Sequence, residues 1–142
     1  MCVIYAHELG ISSRPSTYIN GIIEMISLST FDNLAGVDVG VFAVKPTSLT
    51  QGQMEASTNL WTSDDGLTNI GIWECTPGRF TSDRSASAEY CHILFGSATV
   101  LNENGGLSRT IKAGDLLVLP IGWKGEWTIH EHMRKLYLIV AP

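Results

Sequence analysis

From residue 68 onward the chain is a succession of short apolar runs, each closed by Gly, Pro, Asn or Asp. The runs at 68–75, 88–95, 98–102, 107–112, 116–119, 126–130 and 135–140 have strand length, and nothing after residue 55 holds a helical period. Regular spacing of this kind predicts an all-β domain, a sandwich or barrel. Asn104-Gly105-Gly106 supplies the positive φ angles that a tight hairpin requires, because glycine lacks the clashing Cβ. Upstream the pattern is less regular. Residues 21–28 read equally as a short helix or a strand, 39–44 as a strand, and the polar, turn-rich 46–53 as a linker. The expected organisation is an amino-terminal arm and linker over 1–55 and a barrel domain over 56–142.

Composition narrows the function classes. A chain of 142 residues, 44% of them hydrophobic, can bury one core and leaves no room for a second domain of ordinary size. Nine Lys and Arg against fourteen Asp and Glu give a net charge of −5, so no basic footprint for nucleic acid exists and anionic partners are disfavoured. No apolar run approaches the roughly 18 residues of a membrane span. The first residues have neither the positive n-region nor the long apolar core of a secretion signal, so a cytoplasmic location is expected. Three cysteines, an odd number without metal-type spacing, predict no disulfide framework and agree with a reducing compartment.

The densest motif is Gly114-Asp115-Leu116-Leu117-Val118-Leu119-Pro120-Ile121-Gly122: a glycine turn, a buried strand and a Pro-x-Gly turn in succession. Upstream, Pro77-Gly78 is followed by Glu89 and, seven residues later, by Gly96. With Trp61-x-Ser63-x-Asp65-Gly66, Gly71-Ile72-Trp73-Glu74-Cys75, Gly125-x-Trp127 and Arg134-Lys135-x-Tyr137, these form an ordered series over about residues 58–140. The series resembles the cupin_3 group, also called DUF861, whose relatives include ethanolamine-utilisation cupins and, more distantly, the cupin domains of (S)-ureidoglycine aminohydrolase. The resemblance implies a single cupin jelly-roll barrel of the RmlC-like type with the lumen as ligand site, and it implies no one reaction. A metal-binding cupin carries a His-x-His pair just before the Glu and one more histidine later. Here those places hold Asp83 and Ser85, or Ser82 and Arg84, and then Gly125.

With Glu89 inward, as the resemblance implies, strand alternation sends Cys91, Ile93 and Phe95 inward too, with Tyr90, His92 and Leu94 on the opposite face. With Gly125 inward, Trp123, Trp127 and Ile129 share its face. A carboxylate in such an apolar place has its pKa raised by desolvation unless Arg79, Arg84 or another donor satisfies it. Glu89 is therefore the candidate catalytic acid or base. Arg79, at the barrel mouth, Cys91, Trp123 and Trp127 are the candidate substrate-binding residues. Each has a plainer reading: Glu89 as the anchor of the Arg79 and Arg84 loop, Cys91 as a small core hydrophobe without a histidine on its face, the tryptophans as core. His130-Glu131-His132 imitates a metal pair but falls on the outer face, and Arg134-Lys135 reads as a surface pair reaching Glu126, Glu131 or Glu74.

The sequence thus points to a cupin that binds a small polar molecule without metal or cofactor, with Glu89 as its central group. Two alternatives stand beside it: a metal-dependent enzyme built on Glu89 with Asp83 or a displaced histidine, and a non-catalytic binding or assembly module whose lumen its own tryptophans fill. An arm able to cover a strand edge or cross to a partner makes a homodimer the expected assembly.

Overall fold

The computed structural model describes residues 26–142; His7 and most of the ambiguous 21–28 segment lie outside the described residues. Phe31–Pro142 forms a unit of its own. It is built of eight strands: β1 (Ala43–Val44), β2 (Met54–Thr62), β3 (Thr68–Cys75), β4 (Gly78–Asp83), β5 (Ala88–Asn102), β6 (Arg109–Lys112), β7 (Leu116–Leu119) and β8 (Lys124–Val140). Among the described residues no helix is long and apolar enough to cross a membrane.

Two long strands organise the rest. β5 and β8 pair antiparallel along their whole length, from Ala88↔Val140 to Asn102↔Gly125. The far end of β8 also carries β3, then β2 and β1, while the near end of β5 carries β7. The opposite halves of the same two strands carry β4 and β6. One hydrogen-bonded sheet is thereby folded into two facing halves. The expected all-β jelly roll is what the chain forms, with the two halves continuous through β5 and β8.

The bend has a local cause. Register between β5 and β8 slips after Ile93, after Phe95 and after Ser97, and such bulges bend and twist a strand. Gly96 sits in the middle at φ 89°. A Cβ there would run into the His132 carbonyl and Met133 Cα, so only glycine allows the approach. The bulge also turns Phe95 away from its expected inward place: its ring stacks on His132 at 6.1 Å and lies 5.8 Å from the Arg134 guanidinium.

Between the halves lies the main core, to which Trp73, Cys91 and Ile93 contribute from one side and Phe80, Ala98 and Trp127 from the other. Removing these apolar groups from water is the main driving force for closing the halves together. A second cluster forms on the outer face, where Leu34, Val37, Val39 and Phe42 pack on Ala56 and Ile72. The 46–53 segment, expected as a linker, runs along β4: Leu49 N donates to Arg79 O at 2.7 Å and Thr81 N to Thr47 O at 3.1 Å. Gln53 at its end is only 1% exposed. Its side chain donates to Thr76 O and accepts from Ser48 Oγ, so a buried amide is satisfied.

Two of the expected runs correspond to strands with the same bounds, β3 and β7, while the 107–112 run begins as a strand only at Arg109. The runs at 88–95 and 98–102 are one strand, as are those at 126–130 and 135–140, because the bulges interrupt the apolar pattern without ending the pairing. The Asn104-Gly105-Gly106 hairpin joins β5 to β6 with Gly105 at φ 69°.

Candidate functional site

Alternation along β5 buries Glu89, Cys91 and Ile93 and leaves Tyr90 exposed, so the first half of that strand faces as expected. On β8 the inward residues of the far half are Lys135, Tyr137 and Ile139, paired with Ile93, Cys91 and Glu89 in register. On β3 the inward residue opposite Lys135 is Trp73. These strands therefore bring one carboxylate, one ammonium and an indole together on one sheet.

Glu89 is 5% exposed and is the hub. Lys135 Nζ donates to its Oε1 at 2.6 Å, Cys91 Sγ donates to the same oxygen at 2.9 Å, and Arg84 Nη1 lies 3.2 Å from Oε2. Burial pushes the Glu89 carboxyl upward, but Lys135, the Cys91 and Lys135 hydrogen bonds and Arg84 together outweigh it and hold the group below its ordinary 4.5. Burial likewise opposes the charge on Lys135, yet the Glu89 carboxylate and its hydrogen bond raise it above 10.5. Both members are charged at neutral pH. Cys91 is pushed up to about 12 by burial first and by Glu89 as well, so it is a thiol and a donor, not a nucleophile.

A second ion pair stands nearby. Lys45 Nζ lies 2.5 Å from Glu55 Oε2, which also accepts from Trp73 Nε1 at 2.9 Å. Lys45 sits 4.3 Å from the Phe80 ring centre and 5.6 Å from that of Trp73, while Lys135 sits 4.4 Å from Trp73 and 4.7 Å from Trp127. Trp73 thus separates two ammoniums, each held by a carboxylate and an aromatic face. All of these groups except Cys91 line a cavity of about 410 Å³, with Tyr137 and the Arg84 side chain. Burial, then Glu89, raise the Tyr137 phenol, which stays protonated.

Of the residues singled out from sequence, Glu89 and Trp127 reach this cavity and Cys91 lies beside it, touching Glu89. Arg79 does not: its side chain is 56% exposed and pairs with Glu126 at 2.6 Å. Trp123 does not either, for its Nε1 donates to Asn102 Oδ1 at 2.8 Å and its ring lies across Gly125, where an added Cβ would strike it and the Leu101 carbonyl. Lys135 was expected at the surface and is 7% exposed; its neighbour Arg134 is 6% exposed. A charged pair beside β-strand ends reads as solvated unless a buried carboxylate is known to await it. Lys45 and Glu55, in the segment taken for arm and linker, carried no signal beyond being single charges in a polar stretch. His130 contacts Thr99 Oγ1 and His132 contacts Glu74 Oε1, so neither faces the cavity, in line with the outer placement expected for the pair.

The donor set does not suit the metal that many cupins hold. Both Glu89 oxygens are engaged by cations, Asp83 bonds Ser85 at the exposed rim, and Gly125 offers no side chain. Among the described residues no three His, Cys, Asp or Glu side chains gather as a ligand group.

No curated protein matches the chain. Among solved structures, similarity extends to the EutQ protein of Clostridium difficile, at 16% identity and TM-score 0.56 over 65% of this chain and 66% of that one. A Salmonella typhimurium protein assigned as ethanolamine utilization protein Q matches at 26% identity and TM-score 0.54, over 62% of this chain and 70% of that one. A DUF861 protein of unknown function from Pseudomonas syringae matches at 24% identity and TM-score 0.61, over 71% of this chain and 43% of that one. The chain spans just under two thirds of the C. difficile protein and less than half of the P. syringae one. The family profile for the EutQ-like cupin domain matches residues 62–137, more than half of the sequence, and with the jelly-roll topology it identifies the chain as a member of the Cupin_3 family.

Proposed function

We propose that this cupin binds a small polar molecule in its lumen without a bound metal, through the charged network centred on Glu89. The observation that carries this reading is the position of that network. Buried ion pairs are a poor route to stability, since apolar residues of the same volume serve as well or better. Here one buried pair, Glu89 with Lys135, and one part-buried pair, Glu55 with Lys45, flank one open cavity of about 410 Å³, a size common for small-ligand sites.

The geometry favours a particular role for Glu89. Ionised and gripped by Lys135 and Arg84, it has no proton to give at neutral pH, and its basicity is depressed. It acts as the anchor that fixes Lys135 and Arg84 toward the cavity, a positioning role. Trp73, Phe80 and Trp127 form walls, because their faces are already covered by the two lysines and by one another. Arg79 and Trp123 lie outside the binding surface.

A metabolite panel read by thermal shift tests the reading, since a ligand that binds only the folded state raises its stability. Binding should be lost in Glu89→Gln. The double variant Glu89→Gln, Lys135→Met removes the more deeply buried of the two charges that Glu89 holds, and restores most of the stability without restoring binding. A hit whose affinity survives in both variants contradicts the assignment.

A further inference from the structure

The charges that line the cavity are not evenly spread with depth. Lys45, Arg84 and Lys135 are three cations; the carboxylates held among them are Glu55 and Glu89. Asp83 stands at the rim, 61% exposed, turned to the Ser85 hydroxyl and backbone and 3.8 Å from Lys124. Tyr137 is neutral. Asp83 completes the count at the rim, so that away from the rim three cations face two carboxylates, although the whole chain is acidic at −5.

Unused donors tell the same story. Arg84 pairs with Glu89 through Nη1 at 3.2 Å, while its Nε is buried with no hydrogen-bond partner among the described residues. The guanidinium enters from a fixed point, because Arg84 N donates to Trp123 O at 2.7 Å and Arg84 O accepts from Gly122 N at 2.9 Å. Lys135 and Lys45 each give one side-chain hydrogen bond and have donors to spare. A buried donor without an acceptor is costly, and a cation without a counter-charge more so. What would complete the site is an acceptor-rich anion.

We propose, on the basis of the lumen reading above, that the ligand is a small organic carboxylate bound as its anion. Arg84 and Lys135 take the carboxylate, and Lys45 reads the other end of the molecule. Lys45 and its partner Glu55 come from the chain ahead of residue 62, where the family match begins. This segment is the specificity element: the Glu89, Arg84 and Lys135 group supplies affinity for a carboxylate, and the Lys45 and Glu55 pair selects what it is attached to.

The test uses the full chain at constant ionic strength with acetate, malonate and succinate, each against its amide, followed by thermal shift and by the indole N–H resonances of Trp73 and Trp127. The acids should bind and the amides should not. Loss of a charged hydrogen bond in Arg84→Gln should weaken every acid by about tenfold or more, with partial recovery in Arg84→Lys. Lys45→Met should weaken the two dicarboxylates and spare acetate. Amides that bind as well as the acids, or acids that bind Arg84→Gln unchanged, overturn the proposal. Amide binding that still moves the Trp73 and Trp127 resonances would do so while leaving the lumen as the ligand site, and absence of any response to the acids would overturn it as well.

Discussion

Arg134 and Lys135 are consecutive on β8, both cations, both buried, and each is paired with a glutamate, yet they face opposite sides of the sheet. On the outer side Arg134 lies 3.1 Å from Glu74 and donates to the carbonyls of Leu34 and Val37 at 2.8 and 2.7 Å. Those bonds staple the 34–42 segment, which begins with a 3-10 turn at Leu34–Gly36, over Ile72 and Leu136. His132 adds a further contact to Glu74 at 2.9 Å. On the inner side Lys135 meets Glu89, two indole faces and an open cavity. Two cation–glutamate pairs thus serve two ends. Each cation keeps an unused donor, Arg134 its buried Nε and Lys135 the rest of its ammonium, but only the inner pair stands beside a cavity.

Breaking the inner pair should have the largest effect on stability. Glu89→Gln leaves Lys135 charged and buried, which costs about 3 to 5 kcal/mol when a buried pair loses one member. Chemical denaturation should show this loss, and the double change with Lys135→Met should recover most of it. On the outer side Arg134→Leu should cost less, about 2 to 3 kcal/mol, because Glu74 keeps His132 while the Leu34 and Val37 carbonyls lose their donor. Hydrogen exchange should then rise over 34–42 while ligand response stays intact. A loss of ligand response in Arg134→Leu would erase the distinction between the two faces.

The pH dependence sharpens the contrast. Glu89 titrates lower in the folded state, so its contribution is present above 4.5 and is lost as pH falls through its folded value. Lys135 titrates higher when folded, so its contribution is present below 10.5 and is lost as pH rises past its folded value. The stability profile should decline on the acid side below 4.5 and on the alkaline side from about 9, where the raised thiols of Cys75 and Cys91 begin to contribute before Lys135 does. In the Glu89→Gln, Lys135→Met double variant both declines should shrink. The smallest effect is expected at Arg79→Ala: its pair with Glu126 is exposed and worth about 1 kcal/mol or less, and binding should not change.

How much of this could be read from the sequence depends on which physical signal each residue carries. The resemblance put Glu89 inward, and alternation sent Cys91 and Ile93 after it because period two holds as far as Ile93. It failed at Phe95, where the bulge around Gly96 inserts an irregularity that the residue pattern alone does not reveal. β2 and β4 went unread because their faces are polar as often as apolar: Glu55, Ser57 and Ser82 line the cavity, not a dry core. Lys135 and Arg134 were placed at the surface on the general rule that such residues stay solvated. The two glutamates that bury them lie 46 and 60 residues earlier, a distance over which charge pairing has no sequence signature. Arg79 looked like a mouth residue and points away, since β4 pairs with β8 in a register that puts it beside Glu126. The scaffold was legible through its turns, and the site only through its one motif carboxylate.

The four tryptophans allow the most direct test of the claim that the inner face binds ligand. Trp73 and Trp127 line the cavity, whereas Trp61 and Trp123 do not. Indole N–H resonances can be followed together during titration with the strongest hit of a metabolite panel. The account predicts saturable shifts of Trp73 and Trp127 with Trp61 and Trp123 still, and loss of those shifts in Glu89→Gln, Lys135→Met. Movement confined to Trp61 or Trp123 would place the ligand elsewhere and contradict it.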